Sequence, residues 1–131
     1  MEIIALDVGK KRTGIARASA EARLAEPFKN IDTSEVLNEL EDYLAQHQVE
    51  AVVIGLPRGA EGQETEQTNW VRDWAKRAKD QIAAPFYWQD EFLTSQLAEA
   101  GRPYSVPADD VAASIILEDF LNTDKKDRLL I

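Results

Sequence analysis

The stretch Ile3-Ile4-Ala5-Leu6-Asp7-Val8-Gly9-Lys10-Lys11-Arg12-Thr13-Gly14-Ile15-Ala16 decides the reading of this chain. An apolar run of strand type carries one aspartate to its end, a glycine-bracketed basic turn follows, and a second apolar run begins at once. The simplest reading is two strands, over about 2–8 and 13–19, joined as a hairpin. Burying a carboxylate beside a strand is costly unless it is paired or holds a metal. Asp7 is therefore the residue whose partners have to be found.

Working outward, Leu24 to Ile31 reads as a third strand, with Pro27 near its start placing it at a sheet edge. Asp32 and Glu35 stand at capping-box spacing and open a helix to about residue 47, in which Val36, Leu40, Tyr43, Leu44 and His47 recur at helical period. Ala51-Val52-Val53-Ile54 is a continuous apolar run, the mark of a parallel strand buried on both faces, and it exits through Gly55-Leu56-Pro57. A helix over about 64–81 has Val71, Ala75, Ala78 and Ile82 as its inner stripe, with Trp70 and Trp74 beside it. Pro85 to Trp88 is a short strand with Asp90-Glu91 just past its end. A short helix from about Thr94 stops at Gly101, a last helix runs from about Ala108 to Leu121, and a charged tail follows. Three strands and then alternating helix and strand imply an α/β fold: a mixed five-stranded sheet, antiparallel at its N-terminal strands and parallel afterwards, with helices on both faces.

The 131 residues suffice for one domain, 1–131, and not for two ordinary ones. Met1 leads straight into the first strand, so no leader peptide is expected, and no run reaches the roughly 20 apolar residues of a membrane span. The absence of cysteine excludes disulfides and thiolate metal sites and fits a cytoplasmic protein. A net charge of −9 runs against the basic footprint of most nucleic-acid binders. The acid is unevenly spread, however. Residues 30–71 hold nine acids against one arginine, whereas residues 1–29 hold six Lys/Arg against four acids, leaving a local basic surface at Lys10, Lys11, Arg12 and Arg17.

Three acidic positions are expected at one end of the sheet: Asp7 ending the first strand, Asp90-Glu91 following the fifth, and Asp109-Asp110 opening the last helix. Ligand sites in open α/β sheets gather beyond the carboxyl ends of the parallel strands, which makes the first two groups neighbours. On a helical wheel Asp109 shares a face with Ala112, Ala113, Ile116 and Phe120, so it is aimed inward; Asp110 shares its face with Ala113, Ser114, Leu117 and Leu121 and is the weaker candidate. Each piece also has an ordinary structural reading, as a turn residue, a helix-start charge or an N-cap. Converging carboxylates without Lys or Arg partners would repel one another and be desolvated. A divalent cation resolves this, and oxygen-only ligands suit Mg²⁺ or Mn²⁺. Gly55 lets backbone approach a ligand, Arg58 is a phosphate contact or a solvated side chain, and the tryptophans read as core or as a stacking surface for a base.

Taken together, Leu6-Asp7-Val8-Gly9 with Arg12-Thr13-Gly14-Ile15-Ala16, Gly55-Leu56-Pro57 with Gly62, Asp90-Glu91-Phe92-Leu93-Thr94-Ser95, and Asp109-Asp110-Val111-Ala112-Ala113 with Ile116-Leu117 resemble the YqgF/RuvX family. Any one of these motifs is weak; four in order and spacing over nearly the whole chain are specific. The resemblance implies an RNase H-like fold and a metal-dependent nuclease that processes the 5′ end of pre-16S rRNA. The alternatives are a Holliday-junction resolving DNA endonuclease, which carries with it a weak homodimer, and an inactive nucleic-acid-binding module. It also implies an acidic triad of Asp7, Glu91 and Asp109, with Asp90 adjacent as a further metal ligand. Lys10, Lys11, Arg12, Gly55, Arg58 and Thr94 are then the substrate-side candidates. Phe92 departs from the family pattern, which has arginine after the Asp-Glu pair.

Overall fold

A computed structural model of the chain describes residues 1–91 and 109–131. Strand β1 (Glu2–Val8) lies inside a six-stranded sheet. It pairs antiparallel with β2 (Arg12–Ser19), which pairs antiparallel with the edge strand β3 (Glu26–Asp32). On its other side β1 pairs parallel with β4 (Val49–Leu56), and β4 pairs parallel with β5 (Phe86–Asp90). Pro27 does sit on an edge strand, beside the register shift of the β2–β3 pairing that leaves Phe28 as the extra residue.

The expected five strands become six. Leu129–Leu130, at the end of the charged tail, forms β6 and pairs antiparallel with Tyr87 and Trp88 of β5. The Ile131 N–H donates to the Phe86 carbonyl at 2.8 Å, closing the otherwise open edge of β5. A second correction concerns the first helix. Asp32 makes no side-chain cap, and Thr33–Glu35 is a 3-10 turn leading into α1 (Val36–Gln46). Thr33 is held instead by the β1–β2 turn, which sets the chain direction that a capping box would otherwise set. Helix α2 (Glu66–Gln81) starts at a capping box made by Thr65 and Thr68, and the Thr68 hydroxyl donates onward to the Pro57 carbonyl at 2.6 Å. The last helix, α3, spans Asp109–Asn122. The expected short helix from Thr94 to Gly101 lies outside the described residues, as does Phe92.

Strand alternation divides the core in two. Ile4, Leu6, Val8, Ile15, Val52, Ile54 and Phe86 point to the face covered by α1 and α2, where Val36, Leu40, Val71, Trp74, Ala75 and Ala78 meet them. Ile3, Ala5, Ala16, Ala18, Ala51 and Val53 point to the other face and pack on Ala113, Ile116, Leu117, Phe120 and Leu121 of α3. Because side chains two apart on a strand share a face, this parity also decides which way the acidic residues at the strand ends point.

Candidate active site

Asp7 has the parity of Ile3 and Ala5 and so projects toward α3 at the carboxyl end of β1. Opposite it across the β1–β2 pair stands Gly14, and opposite Gly14 on β3 stands Asn30. The first turn of α3 rests on this row. A Cβ added to Gly14 would lie 2.0 Å from both the carbonyl carbon and the carbonyl oxygen of Asp109, an overlap with backbone that no side-chain motion relieves. The helix start is fastened there by a bond from the Asp110 N–H to Asn30 Oδ1 at 2.8 Å. Glycine in β2 thus lets the α3 backbone come down onto the sheet at the end where Asp7 lies, and the charge of Asp109 bears on Asp7.

Glu91 reaches the same place from the other side. The Glu91 N–H donates to the Leu56 carbonyl at 3.0 Å, extending the β4–β5 ladder by one residue. Its side chain then crosses β4 over Gly55, where an added Cβ would meet Glu91 Oε1 at 2.6 Å and Ile116 Cδ1 at 2.6 Å. The room that Gly55 leaves is therefore filled by a carboxylate of the chain itself. The same alternation explains why Glu91 and not Asp90 turns inward. Asp90 has the parity of Phe86 and Trp88, and its carboxylate accepts from Arg58 Nε at 3.2 Å.

Asp7 and Glu91 are hydrogen-bonded to each other. Burial raises the Asp7 carboxyl above its ordinary value, the hydrogen bond with Glu91 works against that rise, and the charge of Asp109 adds to it. The Glu91 carboxyl is pushed up to about 9, chiefly by burial, then by the charge of Asp7, the hydrogen bond to Asp7 and the charge of Asp90. Two half-buried carboxyls in contact cannot both ionise without a counter-charge, so the pair holds a proton between them at neutral pH. No Lys or Arg among the described residues enters the balance of either group. Among the described residues no three His, Asp or Glu side chains are spaced to hold a metal ion. The donor set nevertheless suits one: all oxygen, net negative, and short of a cation.

The basic turn lies at the same end of β1. Lys10, Lys11 and Arg12 are exposed, and the turn is closed by the Gly9 N–H donating to the Arg12 carbonyl at 2.9 Å. It is also tied to the start of α1. Thr33 donates its N–H to the Lys11 carbonyl at 2.9 Å and its hydroxyl to the Gly9 carbonyl at 2.6 Å, and its hydroxyl lies 2.8 Å from that of the buried Thr13. Arg58 is engaged rather than solvated: besides Asp90 it faces Glu64 at 3.8 Å, and Glu64 accepts from Arg72 at 2.8 Å. Arg72 in turn lies over the half-buried Trp88 ring, 5.5 Å from its centroid. His47 pairs with Glu2 at 3.0 Å and stacks on Tyr43, on the α1 side of the sheet. Thr94 lies outside the described residues. The positioning roles of Gly14, Asn30 and Thr33 escape a reading of the sequence; only Gly14, a glycine inside a strand, carries a signal of close approach.

A family model described as RuvX, Holliday junction resolvase, matches residues 1–123. The chain is 35% identical to a Rickettsia canadensis protein named "Putative pre-16S rRNA nuclease", over 95% of this chain and 88% of that one. A Bacteroides fragilis protein of the same name is 34% identical, over 94% of this chain and 97% of that one. Among solved structures, RuvC of Thermus thermophilus superposes with a TM-score of 0.65 at 14% identity, each chain covered completely. The same enzyme in complex with a Holliday junction substrate gives 0.62 at 12% identity, over 100% of this chain and 99% of that one. The RuvC likeness bears out the RNase H-like fold.

Proposed function

The chain belongs to the RuvX family, and from that premise we propose that it is a nuclease that hydrolyses phosphodiester bonds with a divalent cation, Mg²⁺ or Mn²⁺, and acts on the 5′ end of pre-16S rRNA in the cytoplasm. The observation that carries the reading is the Asp7–Glu91 carboxyl pair under the start of α3, with the charge of Asp109 bearing on it and no cationic side chain among the described residues to neutralise it. Asp7, Glu91 and Asp109 would hold the cation. When bound, it would neutralise phosphate charge and lower the pKa of the attacking water.

The chain's own residues supply the rest. Glu91 gives up the proton it shares with Asp7, since carboxylates must be deprotonated to ligate. Gly55 keeps the space into which the Glu91 side chain turns. Gly14 lets the α3 backbone sit close on β2, from where Asp109 would supply the third carboxylate. Lys10, Lys11 and Arg12, presented on a turn that Thr33 holds in shape, contact the phosphate backbone and position the substrate without reading its sequence. Arg58, held by Asp90, orders the opposite rim. In line with the net charge of −9, binding leans on this local surface and on the cation, and weakens steeply with salt.

The substrate choice rests on the relatives named as pre-16S rRNA nucleases; a four-way DNA junction, cut by a weak homodimer, is the second reading and rests on the family description. Incubation of the protein with a precursor-rRNA mimic and with a four-way junction, with Mg²⁺, with Mn²⁺ and with chelator, tests both. Cleavage of the rRNA mimic is expected with either cation and none with chelator. Asp7→Asn is expected to slow it about a hundredfold or more, the scale on which one preorganised charged group acts, with the circular-dichroism spectrum unchanged. If neither substrate is cut with any cation, the nuclease reading fails.

A further inference from the structure

We propose that Asn30 is a positioning residue for the carboxylate site: by accepting the Asp110 amide hydrogen on its side-chain carbonyl, it fixes the first turn of α3 over Gly14 and so sets Asp109 beside Asp7. The role assigned to the carboxylates rests on the proposed nuclease activity; the placement of Asp109 does not.

Asn30, Gly14 and Asp7 are direct cross-strand partners, so they form one row across β3, β2 and β1. Directly opposed residues share a face, so all three project toward α3. The Asp110 amide is one of the first four of a helix, which have no acceptor within the helix. Ordinarily the residue just before the helix supplies that acceptor. A cap of that kind satisfies the amide but does not say where the helix lies. Asn30 comes from a strand 80 residues earlier in the chain, so the same bond both satisfies the amide and ties the helix start to the sheet.

Gly14 and Asn30 divide the work. The missing side chain at Gly14 lets the Asp109 backbone come down onto β2 but does nothing to stop it sliding along the strand. The Asn30 carbonyl supplies the stop. Asn30 is exposed and contributes nothing to either core cluster, so changing it removes the tether without opening a cavity. Among the described residues only the carbonyl half of the amide is used, which gives a conservative variant: Asn30→Asp keeps an acceptor of the same length, and Asn30→Ala removes it.

The test measures Mn²⁺ affinity by calorimetry, the Mg²⁺ concentration for half-maximal cleavage, and hydrogen exchange at the Asp110 amide, in wild type, Asn30→Ala and Asn30→Asp. Asn30→Ala is expected to weaken Mn²⁺ binding about tenfold, the lower end of what outer partners of a metal ligand cost. The Mg²⁺ midpoint should shift in proportion, while kcat at saturating metal stays unchanged. Exchange at Asp110 should quicken while the amides of β4 keep their wild-type rates, and Asn30→Asp should restore both affinity and protection. Wild-type affinity and exchange in Asn30→Ala, or an Asn30→Asp variant as impaired as Asn30→Ala, overturns the proposal. If wild type binds Mn²⁺ in this Asn30-dependent way yet cuts neither substrate, the nuclease reading falls and the positioning role stands. If wild type cuts and Asn30→Ala matches it at every metal concentration, the positioning role falls and the nuclease reading stands. A wild type that binds no Mn²⁺ overturns both.

Discussion

The two faces of the sheet are built from side chains of different size. Toward α1 and α2 the strands present Ile4, Leu6, Val8, Ile15, Val52 and Ile54, met by Leu40, Val71 and Trp74. Toward α3 they present Ala5, Ala16, Ala18 and Ala51 with Ile3 and Val53, and at the carboxyl end of β1 they give way to Gly14 and Gly55. Large residues fill the space between sheet and helices, whereas small ones let a helix come close, since interaxial distance follows the side chains at the contact. The first face therefore holds most of the bulk of the core. The second trades bulk for proximity, and proximity is what lets the α3 backbone come down onto Gly14 and the Glu91 side chain cross over Gly55 toward Asp7.

Substitutions that respect this contrast should separate stability from activity. The largest stability loss is expected on the filled face. Leu40→Ala, at a fully buried position, should cost about 2–5 kcal/mol in denaturant unfolding, yet leave Mn²⁺ affinity unchanged under conditions where the variant is folded. A change in affinity there would mean that the two faces are not independent. On the close-packed face, Gly14→Ala forces the Asp109 backbone off the strand and should cost about 1–3 kcal/mol, with metal binding lost in the same variant. Gly62, which has φ +82° and nothing near its absent Cβ, is the control. Gly62→Ala should cost about 1 kcal/mol through backbone strain alone and leave metal binding as it was.

A smaller effect comes from the proton that Glu91 retains. Its pKa in the fold, about 9, lies above the ordinary 4.5, so between those values the folded state binds more protons than the unfolded one. Stability of the metal-free protein from this group is then fully present below pH 4.5 and is lost as pH rises toward 9. Asp7, raised by burial, acts in the same direction. Glu91→Gln should flatten most of the slope, leaving the part due to Asp7, and stabilise the metal-free protein at pH 8 by about 1–2 kcal/mol, read from thermal unfolding across pH 5–9 with chelator present. An unchanged slope in that variant would show that Glu91 is not the group responsible.

Much of this was legible in the sequence because it depends on periods that side chains impose directly. Alternation and helical repeats gave the strands and helices, and the apolar face of α3 read from its period, with Ala113, Ile116 and Phe120, is the one that packs on the sheet. Alternation could also have chosen Glu91 over Asp90, since Glu91 continues the parity of Tyr87, which packs on the α3 face, and Asp90 that of Trp88, which does not. What stayed hidden was long-range pairing. That Asn30 would cap a helix 80 residues later depends on the β2–β3 register, which a bulge shifts between Ile15 and Ala16. Asp32 and Glu35 are correctly spaced for a capping box, but the helix entry is held by Thr33, whose hydroxyl bonds the Gly9 carbonyl and meets that of Thr13. The sixth strand was obscured because two leucines in a charged tail carry no period of their own.

The central claim is that Asp7, Glu91 and Asp109 share one divalent cation. A crystal structure of the protein with Mn²⁺, read by the anomalous signal of the metal, tests it most directly. The expected result is a Mn²⁺ peak with oxygens of Asp7, Glu91 and Asp109 at about 2 Å, the Glu91 proton displaced and Asp90 still on Arg58. A structure with Mn²⁺ absent from this end of β1, or with Asp7 and Glu91 still bonded to each other while Mn²⁺ sits elsewhere, would contradict it.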